Sequence, residues 1–408
     1  MKRRTLLASS GAVASGAIIG RDVSGRSDRK RWVHTWTGMP QLTEPHNMPP
    51  APFATLADTT LRQTVRITAG GSRLRVRYSN AFGGVDLPIT AAGVALPVGN
   101  QAGSSAIRAG TSRPLTFGGR PSVVVPIGAQ IVSDPIDLPV LAAANLTVTT
   151  YLAEGQNTTS ITSHPGSRTT SWLVNGDQHD ALDLTGATPV DHWYLLSGIE
   201  VHAEANGLVL VGDSLTDGRG STTNGNDRWP DQLFDGLRDP RLAVLNQAAG
   251  GNRVLRDGLG PNALARLDRD VLAVSGASWL LVFEGVNDIG VAPAADSDQQ
   301  LIVAELIGAY RQIVLRAHAA DLRVYGATLT PFGGNIYDDV TGLRERSRQA
   351  VNAAIREGLF DAVVDFDAAV RDPAAPRQLA AAYDTGDHLH LNPAGYAALA
   401  AAIPRRLL

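Results

Sequence analysis

The sequence predicts two architectures in one chain: an all-β jelly roll or sandwich, followed by an α/β domain built on a parallel sheet. Short strand-like segments separated by Gly, Pro, Asn and Asp turns run from about Trp32 to Val201, and no long stretch of helical periodicity interrupts them. After Asn206-Gly207 the rhythm changes to short, wholly apolar runs. These runs alternate with amphipathic segments, the pattern of a parallel sheet covered on both faces. A length of 408 residues also argues for two domains.

The chain opens with Lys2-Arg3-Arg4 and then a run from Ala8 to Ile19 of small and apolar residues. A charged start before a short apolar stretch predicts a signal peptide over residues 1–25, and the paired Arg3-Arg4 predicts a twin-arginine type, hence a secreted protein. The apolar run is too short and too rich in Gly and Ser to span a bilayer, so no membrane span is expected after signal removal. An all-β domain is expected over residues 30–203. Within it Leu61 to Ile67, Ala69-Gly70-Gly71-Ser72 and Arg73 to Tyr78 read as a half-buried hairpin, with Leu74, Val76 and Tyr78 alternating with three arginines. Val123 to Val125, Asn145 to Leu152 and Trp193 to Val201 are further strand candidates. The α/β domain is expected over residues 207–408. Its strands are Leu208 to Val211, Ala243 to Leu245, Trp279 to Phe283, Leu322 to Leu329 and Ala362 to Phe366. Its helices are Arg228 to Leu237, Pro261 to Val274, Leu301 to Ala319, Leu343 to Ile355 and Pro393 to Leu407.

Composition narrows the chemistry. There is no Cys, so thiolate nucleophiles, disulfides and thiolate metal sites are excluded. The only lysines are Lys2 and Lys30, so no Schiff-base or phosphate-loop lysine serves the folded body. Hydroxyl, carboxylate and imidazole groups remain. A net charge of −3 gives no reason to expect nucleic acid as a partner.

Four motifs fall at the carboxyl ends of predicted strands or just before a helix, where open parallel sheets bind ligands. The first strand ends in Gly212-Asp213-Ser214, which places a serine at a helix N-terminus. The second ends in Asn246 to Arg253 with Gly250-Gly251, a stretch in which glycine lets backbone N–H groups approach a ligand. The third ends in Gly285-Val286-Asn287-Asp288. Near the C-terminus, Asp384 to Asn392 carries Asp387 and His390 before the helix start Asn392-Pro393, so a carboxylate can orient an imidazole facing Ser214. Asp384, Asp387, His388 and His390 also form a cluster with metal-ligand chemistry, but that reading leaves the other three motifs unexplained.

In order and position these four blocks resemble the SGNH, or GDSL, hydrolase superfamily over roughly residues 207–408. The resemblance implies a flavodoxin-like three-layer domain and acyl-ester hydrolysis without metal or organic cofactor. It implies Ser214 as nucleophile, His390 as general base, Asp387 as its orienter, and an oxyanion hole formed by Ser214, Gly251 and Asn287. Asn252, Arg253 and Trp229, with Tyr337, are expected to line the substrate pocket. Trp32 to Trp36 and His164-Pro165-Gly166-Ser167-Arg168-Thr169 resemble secreted members that carry a β-domain ahead of the catalytic one. The implied substrate is a small-molecule or polysaccharide acyl ester, with short-chain or carbohydrate esters favoured. The alternatives are a long-chain acylhydrolase, an acyltransferase with the same triad, or a non-catalytic carbohydrate-binding protein.

Overall fold

The computed structural model describes residues 30–408. The predicted signal peptide lies outside the described residues.

The N-terminal half is built of antiparallel sheets, as its patterning predicts. One has the strand order Arg31–Thr37, Leu196–Ala203, Gly71–Ser79, Ile136–Val140, with Gln130–Val132 also pairing on Gly71–Ser79. A second has the order Thr188–Val190, Ser171–Asn175, Thr59–Arg66, Asn145–Leu152, Ala91–Ala95, Arg113–Pro114. A small third sheet joins Trp193–Tyr194, Thr162–His164 and Gln41–Leu42.

The expected hairpin does not form. Its two arms are strands, but Thr59–Arg66 and Gly71–Ser79 belong to different sheets. Thr59–Arg66 is buried along nearly its whole length and pairs on both sides, with Asn145–Leu152 and Ser171–Asn175. A strand buried on both faces suits the centre of a sheet. Gly71–Ser79 keeps the predicted alternation, burying Leu74, Val76 and Tyr78 while Arg75 and Arg77 reach the buried Glu200 of the neighbouring strand.

The C-terminal half holds a parallel five-stranded sheet in the order Leu242–Asn246, Asn206–Gly212, Ala277–Phe283, Arg323–Ala327, Ala362–Val364. In sequence terms this is 2-1-3-4-5, the doubly wound order whose ligand site lies where the strand order reverses. The first strand is fully buried, as its unbroken apolar run requires. Helices α1 (Ser214–Asp217), α2 (Trp229–Leu237), α3 (Ala263–Leu267), α4 (Val286–Val291), α5 (Asp296–Ala319), α6 (Leu343–Ala354), α7 (Phe366–Val370) and α8 (Pro393–Ala401) connect and cover it. The predicted fifth strand is shorter than expected, because Asp365 caps α7 by accepting from the Ala368 N–H and Phe366 turns into that helix.

The halves meet along an apolar core that is continuous from one to the other. Polar bonds fix the seam. The His34 N–H donates to the Ser275 carbonyl at 3.0 Å. Along the open edge of the parallel sheet, the Thr68 hydroxyl accepts the Val244 N–H at 3.0 Å, and the Thr37 hydroxyl donates to the Asn246 carbonyl at 2.9 Å. Among the described residues no helix is long and apolar enough to cross a membrane.

Candidate active site

The first parallel strand ends at Gly212, and Asp213 caps α1 by accepting the Leu215 N–H at 2.9 Å. Ser214 therefore heads the helix, where no preceding turn supplies an acceptor for its own N–H. Its Oγ lies 2.8 Å from His390 Nε2. His390 Nδ1 lies 2.6 Å from Asp387 Oδ2. A carboxylate only accepts, so the Nδ1 proton points at Asp387 and the Nε2 lone pair faces the serine hydroxyl.

The loop carrying this pair is held from several sides. Asp387 Oδ1 accepts the His390 N–H at 2.8 Å, and Asn335 Nδ2 donates to the Asp387 carbonyl at 2.6 Å. Asn392 then caps α8 with Pro393 in its first turn, as the sequence predicts. His388 takes no part. Its backbone is left-handed, and its Nδ1 pairs with Asp384 at 2.7 Å on the surface. The imidazole and carboxylate chosen from spacing, His390 and Asp387, are thus the two brought to Ser214.

Burial lowers the His390 pKa, and the charges of Arg219 and Arg168 push the same way, against the opposing pull of Asp387. Partial burial disfavours the Asp387 carboxylate, but the His390 N–H and ring together hold it well below the usual range. Beneath the serine, burial pushes the Asp213 carboxyl up to about 7, helped by Asp288 and Asp217.

Gly250 and Gly251 are separated by their hydrogen bonds. The Gly250 N–H donates to Asp217 Oδ2 at 3.0 Å, whereas the Gly251 N–H has no acceptor among the described residues. Gly251 has a φ of +70°, and a Cβ there would lie 2.5 Å from Leu259 Cδ1, so both backbone and space call for glycine. Asn287, in the first turn of α4, donates from Nδ2 to the Asn252 carbonyl at 2.8 Å, and its Oδ1 accepts the Tyr337 hydroxyl proton at 2.9 Å. These two bonds fix which end of the amide is NH₂ and leave one Nδ2 proton uncommitted.

The pocket expectations need correction. Asn252 is buried and spends its side chain on the protein: Nδ2 donates to the Leu259 and Pro261 carbonyls and Oδ1 accepts from Arg266. Only its carbonyl serves the site, by holding Asn287. Trp229 is fully buried, donates to the Thr216 hydroxyl and packs edge-on against Phe366, so it seats α2 rather than lining a pocket. Arg253 is half-buried and folds back onto the Asp257 carbonyl, though its charge still reaches Asp288 and Tyr337. Tyr337 reaches the site as the partner of Asn287.

Sequence reasoning missed three contributors. Asp288 is buried and accepts the Val254 and Leu255 N–H groups at 2.8 and 3.0 Å, tying down the loop that carries Gly251. Arg168, from the N-terminal half, sits near enough to bias His390, and its buried Nε has no partner among the described residues. His164 reaches Asp217 across the seam. The motif holding His164 and Arg168 is visible in the sequence, but nothing local says that it faces the catalytic half.

Fold and site together define an ester hydrolase. Residues 210–398 match the GDSL-like lipase/acylhydrolase family, so the C-terminal half carries a GDSL-like hydrolase domain. Among solved structures it is similar to an acetyl xylan esterase from Geobacillus stearothermophilus, at 22% identity over 48% of this chain and 92% of the other, with a TM-score of 0.36. It is also similar to the inhibitor-bound aryl esterase of M. smegmatis, at 16% identity over 50% and 98% of the two chains, with a TM-score of 0.39. A GDSL-like lipase from Bacteroides thetaiotaomicron matches at 16% identity over 48% and 85%, with a TM-score of 0.35. No curated protein matches the chain.

Proposed function

We propose that the protein is an exported serine esterase that hydrolyses acyl esters through an acyl-enzyme. The observation that carries this reading is the hydrogen-bonded series Ser214–His390–Asp387, set beside the uncommitted N–H groups of Gly251 and Asn287. Ser214 Oγ attacks the ester carbonyl while His390 Nε2 takes its proton. His390 then returns that proton to the departing alkoxide as the C–O bond breaks. Negative charge collects on the former carbonyl oxygen, where the Ser214 and Gly251 N–H groups and Asn287 Nδ2 donate to it. Water repeats the attack on the acyl-enzyme with His390 again as base, releasing the acid and free Ser214.

Short-chain or carbohydrate acyl esters are the favoured substrates, and the N-terminal twin-arginine pattern supports export. One feature favours the long-chain reading. The segment joining Asn335, which holds Asp387, to Tyr337, which holds Asn287, exposes Ile336 almost completely, and Val340 lies exposed just beyond. Exposed apolar side chains on a segment that also holds two site residues suit contact with an acyl chain. The test is a chain-length series of p-nitrophenyl esters run beside acetylated polysaccharides, with Ser214→Ala as blank. Turnover that peaks at acetyl and falls with length supports the first reading, a maximum beyond octanoyl supports the second, and unchanged turnover in Ser214→Ala overturns both. Fluorophosphonate labelling at Ser214 separates an enzyme from an inert carbohydrate binder, and product analysis with added alcohol reports any acyl transfer.

A further inference from the structure

His164 lies in the small third sheet of the N-terminal half, buried and stacked on Trp193 with ring centroids 5.6 Å apart. Its Nδ1 meets the Met39 carbonyl at 3.1 Å, and its Nε2 meets Asp217 Oδ1 at 2.9 Å. A carbonyl oxygen can only accept, so Nδ1 carries a proton. Nε2 faces a carboxyl oxygen, so a second proton sits between the ring and Asp217, on one or the other. The pair is therefore locked by a proton whichever side holds it, and it has no lone pair to offer a substrate.

Asp217 is the last residue of α1, three positions after Ser214. Its other oxygen accepts the Gly250 N–H at 3.0 Å. That bond fixes the residue whose carbonyl carbon forms the peptide bearing the Gly251 N–H. Gly166, two residues after His164, presses on the same carboxylate so closely that a Cβ there would lie 1.7 Å from Oδ2. One carboxylate thus joins the N-terminal half, the nucleophile helix and the loop of the second strand.

We infer that His164 is a positioning residue for ester hydrolysis: through Asp217 and Gly250 it sets the Gly251 N–H against the oxyanion, so the N-terminal half contributes to the reaction without touching substrate. The inference rests on the reading of Ser214 as nucleophile and Gly251 as oxyanion donor. A merely structural His164 would alter melting temperature alone. A positioning His164 must alter the transition state more than the bound substrate.

The test uses the full chain and p-nitrophenyl acetate. His164→Phe removes both ring nitrogens while keeping an aromatic body on Trp193. The expected result is a kcat lowered by ~10–100-fold, the range that a misplaced catalytic donor costs, with KM within about 2-fold of wild type. Binding of a phenylboronic acid, whose tetrahedral adduct on the serine mimics the oxyanion, weakens in parallel. His164→Gln keeps an amide donor toward Asp217 and recovers most of the loss. Asp217→Asn also lowers kcat, and the double variant with His164→Phe is no worse than the poorer single one, because both act through one bond. Wild-type kcat in folded His164→Phe overturns the inference, and so do losses confined to KM or losses that multiply in the double variant. Should His164→Phe not fold, the same criteria are read from Asp217→Asn, a wild-type kcat in that folded variant overturning the inference. Ser214→Ala keeps the two levels apart. If it retains turnover, the proposed mechanism itself fails; if it is inactive while the His164 variants match wild type, only the positioning role fails.

Discussion

Two buried histidines each meet an aspartate in this protein, and they differ in what faces the other ring nitrogen. At His390 the second nitrogen meets a serine hydroxyl, which can give up its proton. At His164 the second nitrogen meets a backbone carbonyl, which cannot. The first pair is therefore a base with a lone pair to use, and the second a fastening. A His–Asp contact by itself says nothing about catalysis; the third atom decides it.

The sharpest way to break the comparison is to remove the first pair's function. His390→Gln is expected to lower kcat for p-nitrophenyl acetate by about 10⁴-fold or more in a folded protein. A loss no larger than that in His164→Phe would erase the distinction between base and fastening. Next is Asn287→Ala, expected to lower kcat by ~10²-fold, the effect of one lost oxyanion donor. Its loss should exceed that of Tyr337→Phe, which leaves the donor in place but frees its orientation. The loss of that one neutral hydrogen bond is worth about 1 kcal/mol, or roughly 5-fold in kcat. Equal losses would mean that Tyr337 itself touches the reacting atoms.

Acidity offers a finer test. His390 works only when neutral, and burial lowers its pKa. The acid limb of kcat/KM is therefore expected below about pH 6.5, the ordinary histidine value, and a limb above it would contradict the burial of the base. The smallest expected effect concerns stability. Burial raises Glu284 to about 8 despite Arg266 nearby, so the folded state holds that proton more tightly than the unfolded chain does. Its stabilising contribution is complete below about pH 4 and fades as pH rises through about 8. Glu284→Gln should accordingly show a smaller fall in Tm between pH 5 and pH 9 than wild type.

Much of this was legible in the sequence, for physical reasons. Parallel strands buried on both faces leave unbroken apolar runs, so the sheet and the strand ends bearing Ser214, Gly251 and Asn287 can be placed by eye. Asp387 and His390 are three residues apart, and their pairing is local. The pairing of Thr59–Arg66 was not legible, because its partners come from residues 145–152 and 171–175 while a Gly-Gly turn suggested the nearer arm. Nor was the fate of Trp229 and Asn252, since whether such side chains line a pocket or fill a core depends on packing that no short window contains. His164 and Asp217 stand 53 positions apart and on opposite sides of the seam. Each looks ordinary alone.

The Thr68 hydroxyl on Val244 has a consequence for how this enzyme can be dismantled. A sheet edge with free N–H and C=O groups recruits strands from other molecules, and the Leu242–Asn246 edge is occupied here by hydroxyls from Thr37 and Thr68. Excising residues 207–408 as a minimal catalyst would uncover that edge together with the apolar surface beside it. The excised half is therefore expected to self-associate more readily than the full chain, as size-exclusion chromatography would report. A transplant that brings these two threonines, or a replacement for them, keeps that edge covered.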